Sequence, residues 1–317
     1  MEILILGGTG CLADELALLA EARGGRVTWI DAALKRSTRA GAPERPGPAL
    51  YPTVREVHGR AFDVCIDQRT PAQAAQDWEA GLAERLGRYV RLSCDAAAAE
   101  DQGPAPDADP SAARIERTFG ARAWCLRTPQ LIAPADAANP FAWWLARAQR
   151  GGELLCPAPA GQGVQWLEVR DLAAFLWRGI ERECSGRLEL GAPWPSTSLG
   201  EVIGACVELT ANRARPVWAD GSWLEEEARI SPGDLPLWRP EGQPGARQQL
   251  DARRAREAGL NHRPLAATLL DTQRGLQRRL PSAAAPRGLD PAHEARLLGA
   301  WAREHQSGRR ILAGAEI

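Results

Sequence analysis

The chain has 317 residues, of which 44% are hydrophobic, and its formal net charge at pH 7 is −1, from 39 basic and 40 acidic residues. The hydrophobic fraction suffices for a folded core and excludes a disordered protein. The charge balance argues against a nucleic-acid partner, since phosphate binding needs a basic surplus. Seven singly scattered cysteines lack metal-site spacing, so we expect no metal site and a reducing, cytoplasmic location. The apolar run at the N-terminus is too short to enter a membrane as a span, so no membrane partner is expected.

The first 30 residues have the pattern of one βαβ unit. An apolar run over 3–7 predicts a buried parallel strand. Apolar positions at helical spacing predict a helix over 11–22, and a second strand follows at 26–30.

The turn between that first strand and the helix is rich in glycine and is typical of a dinucleotide site. The first glycine permits a tight turn, another lets the backbone approach a pyrophosphate at the helix N-terminus, and Ala13 is small enough for helix–strand packing. An acidic residue, Asp31, ends the second strand, where a carboxylate can accept hydrogen bonds from ribose hydroxyls and repels a 2′-phosphate. The pattern therefore favours NAD(H) over NADP(H). The turn residues predicted to contact the cofactor are Gly7, Gly8, Thr9, Gly10, Cys11 and Leu12.

Strands and helices continue to alternate up to about residue 133. The predicted segments are a loop at 37–52, a strand at 61–66, a helix at 71–86, a strand at 88–92, a loop at 95–110, a helix at 111–119 and a strand at 123–127. This alternation predicts an α/β fold, a Rossmann-type doubly wound parallel sheet.

The pattern changes after residue 133. Stretches rich in Pro, Gly and Trp, with only short helices, indicate a smaller, discontinuous substrate lobe over about 134–162 and 193–280. The dinucleotide domain then comprises 1–133 and about 163–192. A cap followed by proline predicts a last helix over 289–306.

Polar side chains follow two strands of the predicted sheet, where ligands of doubly wound proteins bind. Asp67, Gln68 and Arg69 end the third predicted strand, and we expect all three to lie at the cofactor. Ser93 ends the next strand and is a candidate both for cofactor contact and for orienting a carbonyl. The alternative is an ordinary hydroxyl bonded to the backbone. Asp95 is a candidate acid/base, with a loop cap as its alternative.

Twelve tryptophans stand against two tyrosines and four phenylalanines. Four aromatic side chains near the start of the second lobe are candidates for an aromatic substrate wall, with packing as the alternative. They are Phe141, Trp143, Trp144 and Trp166. Two isolated histidines, His58 and His262, are expected to be structural.

Four segments resemble motifs of the extended short-chain dehydrogenases/reductases, the NAD-dependent epimerase/dehydratase branch. They are GGTGCLA at 7–13, YVRLSC at 89–94, RTPQLIAP at 127–134 and QWLEVRDL at 165–172. The resemblance covers most of residues 1–275 in patches. It implies a Rossmann fold, an NAD cofactor, a homodimer as one possible assembly, and bracing roles for Arg170 and Asp171. Its usual catalytic set is a Tyr-x-x-x-Lys pair with a Ser or Thr on the preceding strand.

That catalytic set is missing. The two tyrosines, Tyr51 and Tyr89, are followed four residues later by Arg55 and Ser93, and the chain has a single lysine, Lys35. The expected Ser or Thr aligns on or beside Ala96. The sequence therefore excludes the standard mechanism of the family it resembles.

Three functions are compatible with this pattern. The first is an atypical NAD(H)-dependent oxidoreductase, a ketone or quinone reductase of bacterial small-molecule biosynthesis with an apolar or aromatic substrate. Its proton would come from water, a substrate hydroxyl or Asp95. The second is a non-catalytic NAD(P)-binding sensor or partner protein, and the third is a redox-neutral isomerase or lyase that retains NAD.

Overall fold

The computed structural model describes most of the chain. The described residues are 1–7, 11–30, 49–51, 57, 59–69, 83–94, 110–134, 136, 138–191, 197–231, 233–240, 250–278 and 286–313. No helix within these ranges is both long enough and apolar enough to span a membrane.

Strands and helices alternate through the first half of the chain. The strands are β1 (Glu2–Leu6), β2 (Arg26–Ile30), β3 (Ala49–Tyr51), β4 (Phe62–Asp67), β5 (Leu86–Cys94), β6 (Ala123–Thr128), β7 (Gln130–Ile132), β8 (Gly152–Pro157), β9 (Trp166–Glu168), β10 (Gly186–Glu189) and β11 (Ala214–Ala219). The helices are α1 (Cys11–Glu21), α2 (Pro110–Phe119), α3 (Pro140–Arg150), α4 (Val169–Glu181), α5 (Leu199–Leu209), α6 (Gly221–Glu226), α7 (Arg253–Glu257), α8 (Leu265–Gln277) and α9 (Pro291–Ala313).

The central sheet has the order β10-β6-β5-β4-β1-β2-β3, and every neighbouring pair is parallel. From β1 the chain first builds outward through β2 and β3, then returns to the other side of β1 and builds outward through β4, β5 and β6. The strand order therefore reverses between β1 and β4. In open parallel sheets the carboxyl ends of the strands at such a reversal form the ligand crevice.

Both faces of this sheet are covered, as their apolar content requires. One face, with Ile5 and Val90, packs against α1 and α4 through side chains such as Leu16 and Leu176. The other face packs against α2 through Ile115 and its neighbours. The doubly wound α/β fold predicted from the alternation is confirmed.

The chain divides into two compact units. The first comprises Met1–Leu131, Gln165–Pro193 and Arg247–His262, and the second comprises Ile132–Val164, Trp194–Ala246 and Arg263–Ile317. The sequence had placed all of 193–280 in the second lobe. This is a correction for the described residues 250–262, which pack in the first unit, because Gln165 holds Leu250 by hydrogen bonds to both its N–H and its carbonyl.

The second unit has its own small parallel sheet of β8 and β11, together with α3, α5, α6, α8 and α9. Its longest helix, α9, is held by Glu294, which is 3% exposed and pairs with the Arg147 guanidinium at 2.5 Å. The Leu155 N–H of β8 also donates to the Glu294 carboxylate. The sequence predicted only short helices here and missed β8 and β11, because their Pro and Gly content masks the strand pattern.

Two predicted segments of the first unit, a loop and a helix, are wrong in part. The loop predicted at 37–52 contains the short strand β3, and the helix predicted at 71–86 cannot extend to its predicted end, because Leu86 opens β5. Leu86 and Gly87 pair with β4 rather than extending a helix, because the parallel ladder with Phe62 begins at Leu86.

Candidate active site

The reversal of strand order places the glycine turn opposite the end of β4. Gly7 has φ +68°, a left-handed conformation that glycine adopts without strain. Its N–H donates to the Ile30 carbonyl at 2.8 Å, and the Gln68 N–H donates to the Leu6 carbonyl at the same distance. These two bonds extend the sheet ladder by one step past β1, so Gly7 and Gln68 lie together at the crevice edge.

Gly7 is enclosed by two side chains. A Cβ atom at Gly7 would lie 2.8 Å from Cγ of Arg69, so only glycine allows the arginine side chain to lie this close. On the β2 side, the Trp29 indole N–H donates to the Gly7 carbonyl at 3.1 Å, and Trp29 is 4% exposed. The first residue of the turn is therefore fixed in position and in peptide orientation.

Asp67, the last residue of β4, is fully buried and holds Arg69. Its two carboxylate oxygens accept from the Arg69 side chain, Nε at 2.9 Å and Nη2 at 2.8 Å. The Arg69 backbone N–H also donates to the same carboxylate at 3.0 Å. This bidentate geometry fixes the plane of the guanidinium.

A second arginine fixes the backbone of this segment. Arg91, on β5 and 1% exposed, donates from Nη1 to the Arg69 carbonyl at 2.6 Å and to the Asp67 carbonyl at 3.3 Å. Its Nε donates to the Ser111 hydroxyl at 3.0 Å, which connects the crevice to the start of α2. The end of β4 is thus held from β5 and from α2.

The tyrosine on β5 points into the same cluster. The Tyr89 hydroxyl donates to Asp67 Oδ2 at 2.5 Å, and the ring is fully buried and stacks on Phe119, with ring centroids 4.6 Å apart. The register of β4 and β5 explains why Tyr89 reaches Asp67, because Cys65 pairs with Tyr89 and Asp67 pairs with Arg91 on these neighbouring strands.

The charges of this cluster shift its pKa values in opposite directions. Burial by itself would raise the pKa of Asp67, but the hydrogen bonds and charge of Arg69, with the charge of Arg91, outweigh it and lower that pKa. Burial, followed by the charge of Asp67, raises the pKa of Tyr89 well above 10. Asp67 is therefore a carboxylate and Tyr89 a neutral phenol at neutral pH.

Ser93 and Cys94 end β5 at the same edge of the sheet. The Ser93 hydroxyl donates to the Leu126 carbonyl at 3.4 Å, and the Cys94 thiol contacts the Pro129 carbonyl at 3.5 Å. For Ser93 this contact is the backbone-bonded alternative that the sequence left open. Its proposed contact with a cofactor or a carbonyl stays a prediction.

At the start of α1, Cys11 is half-buried and Leu12 is buried in the core. The remaining residues predicted for the cofactor or for acid/base chemistry lie outside the described residues. They are Gly8, Thr9, Gly10, Asp31 and Asp95.

The predicted aromatic wall is distributed over both units. Phe141, Trp143 and Trp144 lie on α3 in the second unit, and Trp166 lies on β9 in the first. Phe141 and Trp144 are fully buried, and the Trp144 indole N–H donates to the Pro236 carbonyl at 2.8 Å. Phe141 and Trp144 are thus packed inside the second unit. The role of the four rings as a substrate wall stays a prediction.

The QWLEVRDL segment contains β9 and the start of α4, and the bracing roles expected of Arg170 and Asp171 stay predictions. Glu168 is buried, caps α4 through the Arg170 N–H, and forms an ion pair with the Arg170 guanidinium at 2.7 Å.

Among the described residues, no group of three or more His, Cys, Asp or Glu side chains is placed to hold a metal ion.

Comparisons with known proteins agree on the fold. The UDP-glucose 4-epimerase of Thermus thermophilus in complex with NAD aligns with a TM-score of 0.59 at 16% identity, over 88% of this chain and 100% of that chain. The UDP-N-acetylglucosamine 4-epimerase of Bacillus cereus aligns with a TM-score of 0.57 at 14% identity, over 88% and 100%. The Bordetella bronchiseptica enzyme WbmH in complex with NAD+ aligns with a TM-score of 0.59 at 14% identity, over 87% and 98%.

The chain has the fold of UDP-glucose 4-epimerase. No protein-family model and no curated protein matches the sequence. At 14–16% identity the likeness is one of architecture, so the chemistry has to be argued from the residues of this chain.

Sequence reasoning missed three side chains of the site. The sequence predicts Trp29 only as part of a strand, and it includes Tyr89 and Arg91 only in the YVRLSC segment at 89–94, with Tyr89 as a tyrosine that lacks its lysine. A signal for two of them was present, because Tyr89 and Arg91 alternate along β5 as Cys65 and Asp67 do along β4. The indole–carbonyl bond of Trp29 depends on a rotamer that no sequence pattern encodes.

Proposed function

We propose that the protein binds NAD(H) at the β1–β4 edge and acts as an oxidoreductase that does not use a Tyr-x-x-x-Lys pair. The observation that carries the proposal is the left-handed conformation of Gly7, which is located where the strand order reverses and is enclosed by Trp29 and Arg69. When bound there, NAD(H) would supply hydride chemistry.

The charge at the edge supports a dinucleotide ligand. The aliphatic part of Arg69 lies on Gly7. The guanidiniums of Arg69 and Arg91 share the single carboxylate of Asp67, so one net positive charge remains beside Gly7. A pyrophosphate on the turn would also face the N-terminus of α1, which begins at Cys11. Structures of the same fold that contain NAD, among them those from Thermus thermophilus and Bordetella bronchiseptica, favour this cofactor class.

The state of Tyr89 supports chemistry without a tyrosine acid/base. A neutral phenol buried under Asp67, with its pKa raised, is unsuited to exchanging a proton with a substrate. Tyr89 therefore has a structural role in this proposal. The proton of a reduction would come from water, a substrate hydroxyl or Asp95, and positioning would provide most of the rate enhancement.

A second candidate is a redox-neutral isomerase that retains NAD. The sugar-nucleotide epimerases with this fold favour it, and transient hydride removal would use the same crevice. A non-catalytic NAD(P)-binding protein remains the third candidate from the sequence.

Turnover assays separate the three candidates. NADH oxidation would be followed by its absorbance with a panel of ketones and quinones, and NMR would follow conversion of UDP-glucose to its 4-epimer by NAD-loaded protein. Our proposal expects net NADH oxidation with at least one ketone or quinone. Epimer formation without net oxidation would overturn it in favour of the isomerase, and tight NADH binding without either reaction would favour the non-catalytic protein.

A further inference from the structure

Two arginines share one carboxylate at the carboxyl end of β4. Asp67 is fully buried, and the guanidiniums of Arg69 and Arg91 pair with it at nitrogen–oxygen distances of 2.8 Å and 3.8 Å. The two side chains differ in exposure, at 13% for Arg69 and 1% for Arg91. A fully buried cation has to stay paired with an anion. Arg69 is therefore the arginine of the two that can exchange its partner for a ligand.

The hydrogen bonds of Asp67 do not all depend on the Arg69 side chain. Oδ1 accepts from Nε of Arg69 at 2.9 Å and also from the Arg69 backbone N–H at 3.0 Å. Oδ2 accepts from Nη2 of Arg69 at 2.8 Å and also from the Tyr89 hydroxyl at 2.5 Å. If the guanidinium left, each carboxylate oxygen would keep one hydrogen bond.

The charge of Asp67 would also stay balanced, because the Arg91 guanidinium remains beside it. Breaking a buried ion pair is costly when it leaves an unpaired buried oxygen or an uncompensated buried charge. Release of the Arg69 guanidinium leaves Asp67 with neither. The cluster is therefore arranged to hold together with the Arg69 side chain in a second position.

The backbone of Arg69 is held independently of its side chain. The Arg69 carbonyl accepts from Nη1 of Arg91 at 2.6 Å, and the Arg69 N–H donates to Asp67. Arg91 is held in turn by the Ser111 hydroxyl of α2. The movement is then a change of side-chain rotamer, starting from a Cγ that packs against Gly7.

A phosphate beside Gly7 would compete with Asp67 for this guanidinium, since both anions accept the bidentate fork of an arginine. With a phosphate bound, the charges pair separately. Arg91 balances Asp67, and Arg69 balances the phosphate.

We propose that Arg69 is a ligand-responsive switch: its guanidinium leaves Asp67 and pairs with a phosphate when a phosphate-bearing ligand binds. Tyr89 and Arg91 keep Asp67 paired in the bound state. This inference rests on the proposed NAD(H) site and adds a regulation to it, because the Asp67–Arg69 pair competes with the ligand and lowers its apparent affinity.

A crystal structure of the full-length protein with ADP tests the movement directly. ADP is the probe because it carries a pyrophosphate without the nicotinamide. We expect the Arg69 guanidinium on a phosphate oxygen and more than about 4 Å from both oxygens of Asp67, with the Tyr89 hydroxyl still bonded to Oδ2. An ADP complex in which Arg69 stays bidentate on Asp67 would overturn the inference.

The arginine Nε–H resonances of 15N-labelled protein report the same exchange in solution. The Arg69 resonance is assigned by its loss in Arg69→Lys. It should differ between the wild type and Asp67→Asn without ligand and coincide with saturating ADP, because residue 67 no longer contacts the guanidinium. Asp63→Asn, at the opposite end of β4, is the matched control and should follow the wild type throughout. A difference that persists with ADP bound contradicts the switch, and the crystal structure decides if Asp67→Asn does not fold.

Affinities show whether the guanidinium binds the phosphate. Arg69→Gln removes a charge-assisted hydrogen bond, so the Kd values of ADP and NADH should rise at least about tenfold. The Kd of adenosine, which has no phosphate, should not change. Arg187→Gln removes a surface guanidinium that pairs with Glu116, and as the matched control it should leave all three Kd values unchanged. Equal losses for adenosine and ADP, or an unchanged Kd of ADP in Arg69→Gln, would overturn the inference.

The two proposals fail separately in these experiments. NADH binding by a wild-type protein whose Arg69 stays on Asp67 contradicts only the switch. Movement of Arg69 with ADP, but no binding of NADH, contradicts only the proposed function. A wild-type protein that binds neither ligand contradicts both.

Discussion

The Tyr89 hydroxyl donates a hydrogen bond to the Asp67 carboxylate across neighbouring strands, with 2.5 Å between the two oxygens. The same carboxylate fixes Arg69 beside the glycine turn. This chain thus uses a buried tyrosine of β5 to hold the carboxylate that positions a guanidinium at the crevice.

Tyr89→Phe should reduce stability and leave ligand binding nearly intact. The change removes one buried hydrogen bond but leaves Arg69 paired with Asp67, so the free energy of unfolding should fall by about 1–3 kcal/mol. Urea denaturation measures this loss, and any NADH-dependent activity should stay within a few-fold. Tyr51→Phe is the matched control. A collapse of activity in a folded Tyr89→Phe protein would show that the phenol does take part in proton transfer.

The Asp67 ion pairs should make the fold resistant to moderate acid. Because the pKa of Asp67 is lowered in the folded protein, its contribution is fully present above the unfolded value of 3.8 and is lost as the pH falls below 3.8 through the lowered pKa. Asp67→Asn should remove this dependence and cost about 3–5 kcal/mol, since the buried Arg91 and the half-buried Arg69 lose their carboxylate.

Thermal unfolding of the wild type and Asp67→Asn between pH 7 and pH 2 tests this expectation. Glu208→Gln, at an exposed position on α5, is the control and should follow the wild type. Equal stability of Asp67→Asn and the wild type at pH 7 would contradict the assigned role of the ion pairs.

His262 should add a separate pH effect near neutrality. Its pKa is lowered in the folded state, so the unfolded chain binds the extra proton first, and stability is lost as the pH falls from about 6.5 toward the lowered value. His262→Gln should flatten the stability curve in that window. Chemical denaturation at half-unit pH steps measures it, and identical curves for wild type and variant would contradict the buried neutral ring.

Much of the fold could be predicted from the sequence because its signals are local. The apolar runs of β1 and β4 and the glycine turn define a doubly wound sheet without knowledge of tertiary contacts. The segment 250–262 could not be assigned to its unit, because its place depends on the Gln165 amide bonds to Leu250.

The site was predictable only in part. Asp67 and Arg69 were placed at the cofactor edge because they follow a strand, and the structure does bring both beside Gly7. Their partner Tyr89 depends on strand register, which a single sequence does not state. The missing lysine shows only that Tyr89 is not part of a Tyr-x-x-x-Lys pair. Its role follows from its register with β4, which places it beside Asp67.

Gly7→Ala should destabilise the protein and weaken NADH binding. Alanine is strained at φ +68°, and its Cβ would meet Arg69 at 2.8 Å. We expect a loss of about 1–3 kcal/mol in unfolding free energy and a Kd for NADH raised at least about tenfold. Gly161→Ala is the control, because a Cβ there meets no atom within 4 Å. Unchanged NADH affinity in Gly7→Ala would show that the conformation of Gly7 is not needed for cofactor binding.

Asp31→Arg should shift the preference from NADH toward NADPH. The carboxylate predicted to bind the ribose hydroxyls is lost, and the guanidinium offers a partner for a 2′-phosphate. The ratio of the two Kd values is the measurement, with Asp31→Ala as the variant that removes the carboxylate alone. A wild-type protein that already prefers NADPH would make Lys35 and Arg36 the determinants instead.

Calorimetric titration of NADH into the wild type, Gly10→Asp and Gly161→Asp tests the central claim most directly. An aspartate at position 10 would set a negative charge against the pyrophosphate where the backbone must approach it. The account predicts saturable NADH binding by the wild type and by Gly161→Asp, and none by a folded Gly10→Asp. Equal NADH affinity in all three proteins, or no binding by the wild type, would contradict it.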